Sequence, residues 1–78
     1  MYFIYILRLS NGNFYKGRTK NLDRRLLEHK SGKTPSIKEF LPFKLVHAEI
    51  VNNVSKAIEL EKYFKSGIGR EIIRELFN

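Results

Sequence analysis

Cysteine is absent from this chain of 78 residues. That excludes a disulfide framework and any thiolate metal site, and it fits a reducing compartment. Acids are scarce: 8 Asp and Glu stand against 15 Lys and Arg, a net charge of +7. Such a surplus on so small a body points to a polyanionic partner, with solubility as the plainer alternative. The cations are spread along the chain, so any binding face must be assembled by folding. Long apolar runs are also missing. The apolar N-terminal stretch carries Tyr5 and Arg8 and turns at Asn11-Gly12, too short and too interrupted for a signal peptide or a membrane span. A cytoplasmic protein with no membrane partner is expected. There is no internal repeat, low-complexity segment or linker, so residues 1–78 form one domain with a small core, which six Phe and four Tyr help to fill.

What is present begins with Tyr2 to Leu9, apolar on both alternating faces, as a central strand covered on both sides should be. Asn11-Gly12 signals a hairpin into a second strand, Asn13 to Arg18. A two-residue turn would pair Arg8 with Tyr15 and send Tyr5 and Tyr15 to opposite faces. A three-residue loop with Gly12 left-handed would pair Leu7 with Tyr15 and bring the two tyrosines to one face. Both are sterically acceptable. Asn21 caps a helix that runs to about Ser31 and stops at Gly32. At about 100° per residue, Leu22 and Leu26 face inward, Arg24 and Glu28 form a solvated pair, and Arg25 and His29 flank the leucines. Lys33 to Pro42 is a loop with a short helical turn around Ser36 to Phe40. Phe43 to Val51 is the third strand. Ser55 is expected to cap a second helix from Lys56 to Ser66 with the apolar stripe Ala57, Leu60, Phe64 and Ile68. Glu61 falls within that stripe, whereas Glu59 faces water. Gly67 and Gly69 end this helix, and Arg70 to Phe77 forms a last one, packed through Ile72, Ile73, Leu76 and Phe77.

Tyr5, Arg25, His29 and Glu61 thus occupy positions where periodicity expects apolar residues or their borders. A buried unpaired charge is costly. The bland reading is an Arg25–Glu61 salt bridge among ordinary core tyrosines. The functional reading is phosphodiester hydrolysis: a tyrosine with its pKa lowered by cations as base, Arg25 on the phosphate oxygens, His29 relaying a proton, and Glu61 holding one well-hydrated Mg²⁺.

Phe3-Ile4-Tyr5 and Tyr15-Lys16-Gly17 resemble the two halves of the GIY-YIG nuclease motif. GRTKNLDRRLLEHKSG, Gly17 to Gly32, is similar to that family's helix with its arginine and histidine, and KAIELEKYFKSG, Lys56 to Gly67, to the stretch with its metal-binding glutamate. The likeness covers nearly the whole chain and is closest to small standalone members. It implies an α+β fold, a three-stranded antiparallel sheet flanked by helices (β-β-α-β-α-α), with both tyrosines on one active-site face, which favours the bulged hairpin. It implies Tyr5, Tyr15, Arg25, His29 and Glu61 as catalytic residues, with Tyr5 the leading base, Glu61 holding a single Mg²⁺ or Mn²⁺, and Gly17 structural. The expected activity is a DNA endonuclease that cuts one strand at a time and leaves 5′-phosphate and 3′-hydroxyl ends, in repair or recombination. The rival is a non-catalytic nucleic-acid-binding module of the same fold. Lys16, Arg18, Lys20, Lys33, Lys38 and Arg70 are the expected nucleic-acid contacts. With no zinc finger or helix-turn-helix in the chain, the expectation is either action on branched or damaged DNA or a specificity-giving protein partner. The chain departs from the motif at Phe3 (glycine), at Lys16 (isoleucine) and at Arg18, where many members have a small or hydroxyl residue.

Overall fold

In a computed structural model that describes residues Met1–Asn78, β1 (Tyr2–Arg8) is the middle strand of an antiparallel sheet ordered β2-β1-β3, with β2 at Phe14–Thr19 and β3 at Lys44–Val51. Its central place follows from its two apolar faces. Ile4 and Ile6 point to one side, into a core with Ala57, Phe64 and Ile73. Tyr5 and Leu7 point to the other, joined by Leu9 and Ile37, with Tyr15, Leu22, Leu26 and Phe43 packed around them. Ile4, Tyr5, Ile6 and Leu7 are fully buried. Each aliphatic among them contributes on the order of 2 kcal/mol. The sheet is therefore sandwiched, with α2 (Val54–Lys65) and α3 (Gly67–Phe77) on one face. On the other lie α1 (Leu22–Lys30) and the loop with a 3-10 turn at Lys38–Phe40. This is the expected α+β fold in the expected order.

The hairpin takes the longer of the two loops. Leu7 pairs with Tyr15 and Arg8 with Phe14. The Leu9 N–H donates to the Asn13 carbonyl at 2.8 Å and the Gly12 N–H to the Leu9 carbonyl at 3.0 Å. Gly12 has φ +86, the left-handed conformation that the bulge requires. The β1–β3 pairing also carries an irregularity: Ile6 faces His47 while Leu7 faces Leu45, so Val46 is the extra residue. His47 then sits on the Ile6 side, between the Phe64 and Phe77 rings at 6.0 and 5.6 Å, with Glu49 Oε1 at 2.7 Å, a structural role.

Helix α1 starts as its residues dictate, with Asn21 Oδ1 accepting from the Arg24 N–H at 3.1 Å and Gly32 left-handed behind the C-cap. The two later helices differ from expectation at their joints. Asn53, not Ser55, caps α2, accepting from the Lys56 N–H at 2.9 Å, because Val54 and Ser55 are already helical. The chain turns at Ser66, whose hydroxyl accepts from the Gly69 N–H at 3.1 Å, so α3 opens at Gly67 and takes in both glycines. Gly69 is buried against the Tyr63 carbonyl, where a Cβ would overlap it. With the direction changed at Ser66, Ile68 leaves the α2 stripe and is 67% exposed. Leu76 is also on the surface, and Ile73 alone is the fully buried side chain of α3.

Candidate active site

The hairpin register fixes the first two groups. Leu7 and Tyr15 are partners, so Tyr5 and Tyr15 are diagonal neighbours on one face, ring centroids 6.3 Å apart. Tyr5 lies directly opposite Gly17. The Tyr5 ring and hydroxyl rest where a side chain at position 17 would begin: a Cβ there would collide with Oη, Cζ and Cε1. Gly17 is therefore what lets the buried Tyr5 ring lie flat across β2.

Helix α1 crosses this face and supplies His29 and Arg25. His29 is fully buried. Its Nε2 is 2.7 Å from the Tyr5 hydroxyl and its Nδ1 is 2.5 Å from Thr34 Oγ1, while the Tyr15 ring stands edge-on at 5.1 Å. Arg25, which can only donate, lines the same cleft as Tyr5 and its charge favours the ionised phenol. The Tyr5 and Thr34 hydroxyls thus bracket the two ring nitrogens of His29, each able to donate or accept. Burial, with Tyr15 alongside, pushes the Tyr5 phenol up to about 12 against the pull of Arg25. Burial and Arg25 hold His29 below its ordinary 6.5. The tyrosine lowered by cations is accordingly not found at position 5, because desolvation outweighs the guanidinium.

Helix α2 brings the carboxylate. Glu61 lines a cleft of about 400 Å³ with Tyr5, Tyr15, Lys16, Arg18 and Arg25, and it is the only acid there. The Arg25–Glu61 salt bridge does not form. Glu61 Oε2 takes Lys65 Nζ at 3.1 Å and Oε1 has Arg18 Nε at 3.8 Å. Arg25 Nη1 takes Glu28 Oε1 at 3.0 Å, and Glu28 also keeps the expected Arg24 at 3.9 Å. The hydrogen bond from Arg25 holds the Glu28 carboxyl below its usual range. That bond also raises Arg25, fixing it as a cation. A hard oxygen donor, partly exposed and facing an open cleft, suits a cation that keeps most of its water. Glu61 is the one such donor in the cleft, and no group of three or more histidine or acidic side chains gathers around it.

The family model for the GIY-YIG catalytic domain matches residues 1–70. The chain belongs to the GIY-YIG family. It is 40% identical to a UPF0213 protein of Syntrophus aciditrophicus over 81% of this chain and 75% of that one. It is 38% identical to the UPF0213 protein YsiG of Lactococcus lactis over 90% and 68%. The solution NMR structure of UPF0213 protein BH0048 from Bacillus halodurans is similar at a TM-score of 0.61 and 31% identity, covering 99% of this chain and 86% of that chain.

Of the GIY-YIG residues expected at the site, Tyr5, Tyr15, Arg25 and Glu61 line one cleft, together with Gly17, Lys16, Arg18 and Arg70. His29 sits behind Tyr5, off the cleft wall. Lys20 lies elsewhere, its Nζ 5.4 Å from the Tyr2 ring centroid, and the exposed Lys33 and Lys38 belong to the loop after α1 and line no part of this cleft. Three participants escaped the sequence reading. Thr34 is a loop residue five positions past His29, and only the fold brings it to Nδ1. Glu28 and Lys65 sit at i+3 from Arg25 and i+4 from Glu61, spacings at which helix side chains meet. That signal was available for both. No helix is long and apolar enough to cross a membrane.

Proposed function

We propose that this GIY-YIG domain is a metal-dependent DNA endonuclease of the cytoplasm, nicking one strand at a time to leave 5′-phosphate and 3′-hydroxyl ends in repair or recombination. The observation that carries the reading is one cleft in which two tyrosines, the Arg25 guanidinium and a single carboxylate converge, with Arg25 and Glu61 not paired to each other.

The chemistry is divided among the chain's own groups. Arg25 offers two parallel N–H donors to the phosphate and stabilises charge as it grows. Tyr15 positions the attacking water or a phosphate oxygen. Tyr5 cannot wait as a phenolate, given its raised pKa. It accepts the water's proton as it hands its own to His29 Nε2, which the lowered pKa keeps neutral at pH 7. Thr34 holds the ring so that this lone pair faces Tyr5. Glu61 would hold the divalent ion, which when bound supplies Lewis-acid neutralisation of the phosphate.

Supercoiled plasmid, incubated with Mg²⁺ or Mn²⁺ and with EDTA as control, tests the reading. Arg25→Ala and Glu61→Gln are expected to lower nicking by about 10²-fold or more, the usual effect of losing an electrostatic catalytic group, with circular dichroism unchanged. Wild-type rates in either variant would overturn it. The pairing of both Glu61 oxygens with cations favours one other reading, a binding module without catalysis. Salt-dependent binding with no nicking under any metal would select it.

A further inference from the structure

A second cleft opens beside the first. It has a volume of about 380 Å³ and lies between the β1–β2 hairpin, at Gly12, Asn13 and Phe14, and α3. Lys16, Arg70 and Arg74 line it together with Asn78, the last residue of the chain, and no aspartate or glutamate side chain does. None of these three cations takes part in an ion pair of the protein, whereas Arg18, Arg24, Arg25 and Lys65 all do. Phe14, Lys16 and Arg70 line both clefts, so the two form one trough. Arg74 lines only the outer part, four residues and about 6 Å beyond Arg70 along α3. Converging cations that no aspartate or glutamate side chain neutralises repel one another. Burial, with Arg70 and Lys65 close by, holds the Lys16 ammonium below the ordinary lysine range. An anion is the missing partner.

Resting on the endonuclease reading, we propose that this outer cleft seats the backbone phosphate adjacent to the scissile one, through Lys16, Arg70 and Arg74, so that the cut strand runs from the active site toward α3. The trough continues in this direction, and the loop cations Lys33 and Lys38 line neither part of it. Arg74 is then a nucleic-acid contact that makes no contribution to the chemistry.

The test measures binding alone, by fluorescence anisotropy of a labelled 20-base-pair duplex in EDTA across a salt series. It compares the full chain with Arg74→Gln and with Lys62→Gln, an exposed lysine on α2 outside both clefts. Both variants lose one charge. Arg74→Gln is expected to lower the slope of log K against log salt by about 0.9, one phosphate contact, and Lys62→Gln to leave it unchanged. Equal slopes for the two variants would overturn the subsite. A protein that shows the Arg74-dependent slope but never nicks keeps the subsite and loses the activity. One that nicks while the slopes coincide keeps the activity and loses the subsite. If no duplex is bound at any salt, both fall.

Discussion

Adding one methyl group at position 17 tests the site and the fold together. Tyr5 is fully buried, its hydroxyl held by His29, and a Cβ on Gly17 would lie 2.5 Å from Cζ and 2.9 Å from Cε1, as well as against Oη. The ring is hemmed in by Tyr15 and His29 at centroid distances of 6.3 and 5.7 Å, so it cannot swing aside as a flexible chain would. Overpacking of this kind costs about 1–3 kcal/mol. Displacing the ring also strips a buried hydroxyl of its partner, roughly another 1–3 kcal/mol. For a domain of this size, even about 2 kcal/mol lowers Tm by some 8–16 °C. Gly17→Ala should therefore melt early, and nicking should fall even at temperatures where it is folded. The decisive assay is a double-mutant cycle by thermal or urea denaturation, repeated in a Tyr5→Leu background that removes the ring. There, alanine for a strand glycine should be neutral or favourable by about 0.5–1 kcal/mol, giving a coupling of about 2 kcal/mol or more. The same cost in both backgrounds would refute the claim that Gly17 exists to accommodate Tyr5.

Three further outcomes follow from the same geometry. Thr34→Val keeps the shape but leaves His29 Nδ1 without its partner; kcat should fall with KM little changed and Thr34→Ser should restore it, in steady-state nicking assays. The rate depends on neutral His29, whose pKa is lowered, so kcat/KM should rise with pH through a value below 6.5 and then level off. The same sign makes the fold lose stability as pH drops below 6.5, since the unfolded chain binds the proton first; an acidic limb at or above 6.5 would count against His29 as the acceptor. Arg18 stands 3.8 Å from the Glu61 carboxylate, so Arg18→Thr should tighten Mn²⁺ binding, read by calorimetry, by about five-fold, the effect of removing roughly 1 kcal/mol of partly screened repulsion.

The fold was legible because its elements are locally consistent. The doubly apolar β1, the Asn21 cap, Gly32 and the stripe that singled out Glu61 over Glu59 all point to the structure observed. The hairpin was not decided by its residues, since Asn11-Gly12 suits either loop, and the family likeness favoured the right one. What sequence periodicity missed lies where chain direction changes or side chains reach. Asn53 and Ser55 are both good caps, and the first to point at a free N–H defines the helix start. Ile68 continues the α2 stripe by counting, yet the turn at Ser66 carries it to the surface. Tyr5 was expected to be lowered by cations; burial, which depends on the packing of α1 over β1, reversed the sign.

The pairing of Arg25 and Glu61 bears most directly on what the cleft is for. Arg25 is satisfied on its own helix by Glu28 at i+3, and Glu61 by Lys65 at i+4 and by Arg18 of β2. Had they met, the bridge would have joined α1 to α2 across the cleft that both line. Local pairs across helix turns are weak, a few tenths of a kcal/mol each, and the side chains remain 37% and 20% exposed. A phosphate can therefore take Arg25 from Glu28, and a divalent ion can take Glu61 from Lys65, at small cost. On the endonuclease reading, Arg25 and Glu61 stay on separate helices, held only by weak partners, so that the one can meet a phosphate and the other a divalent ion.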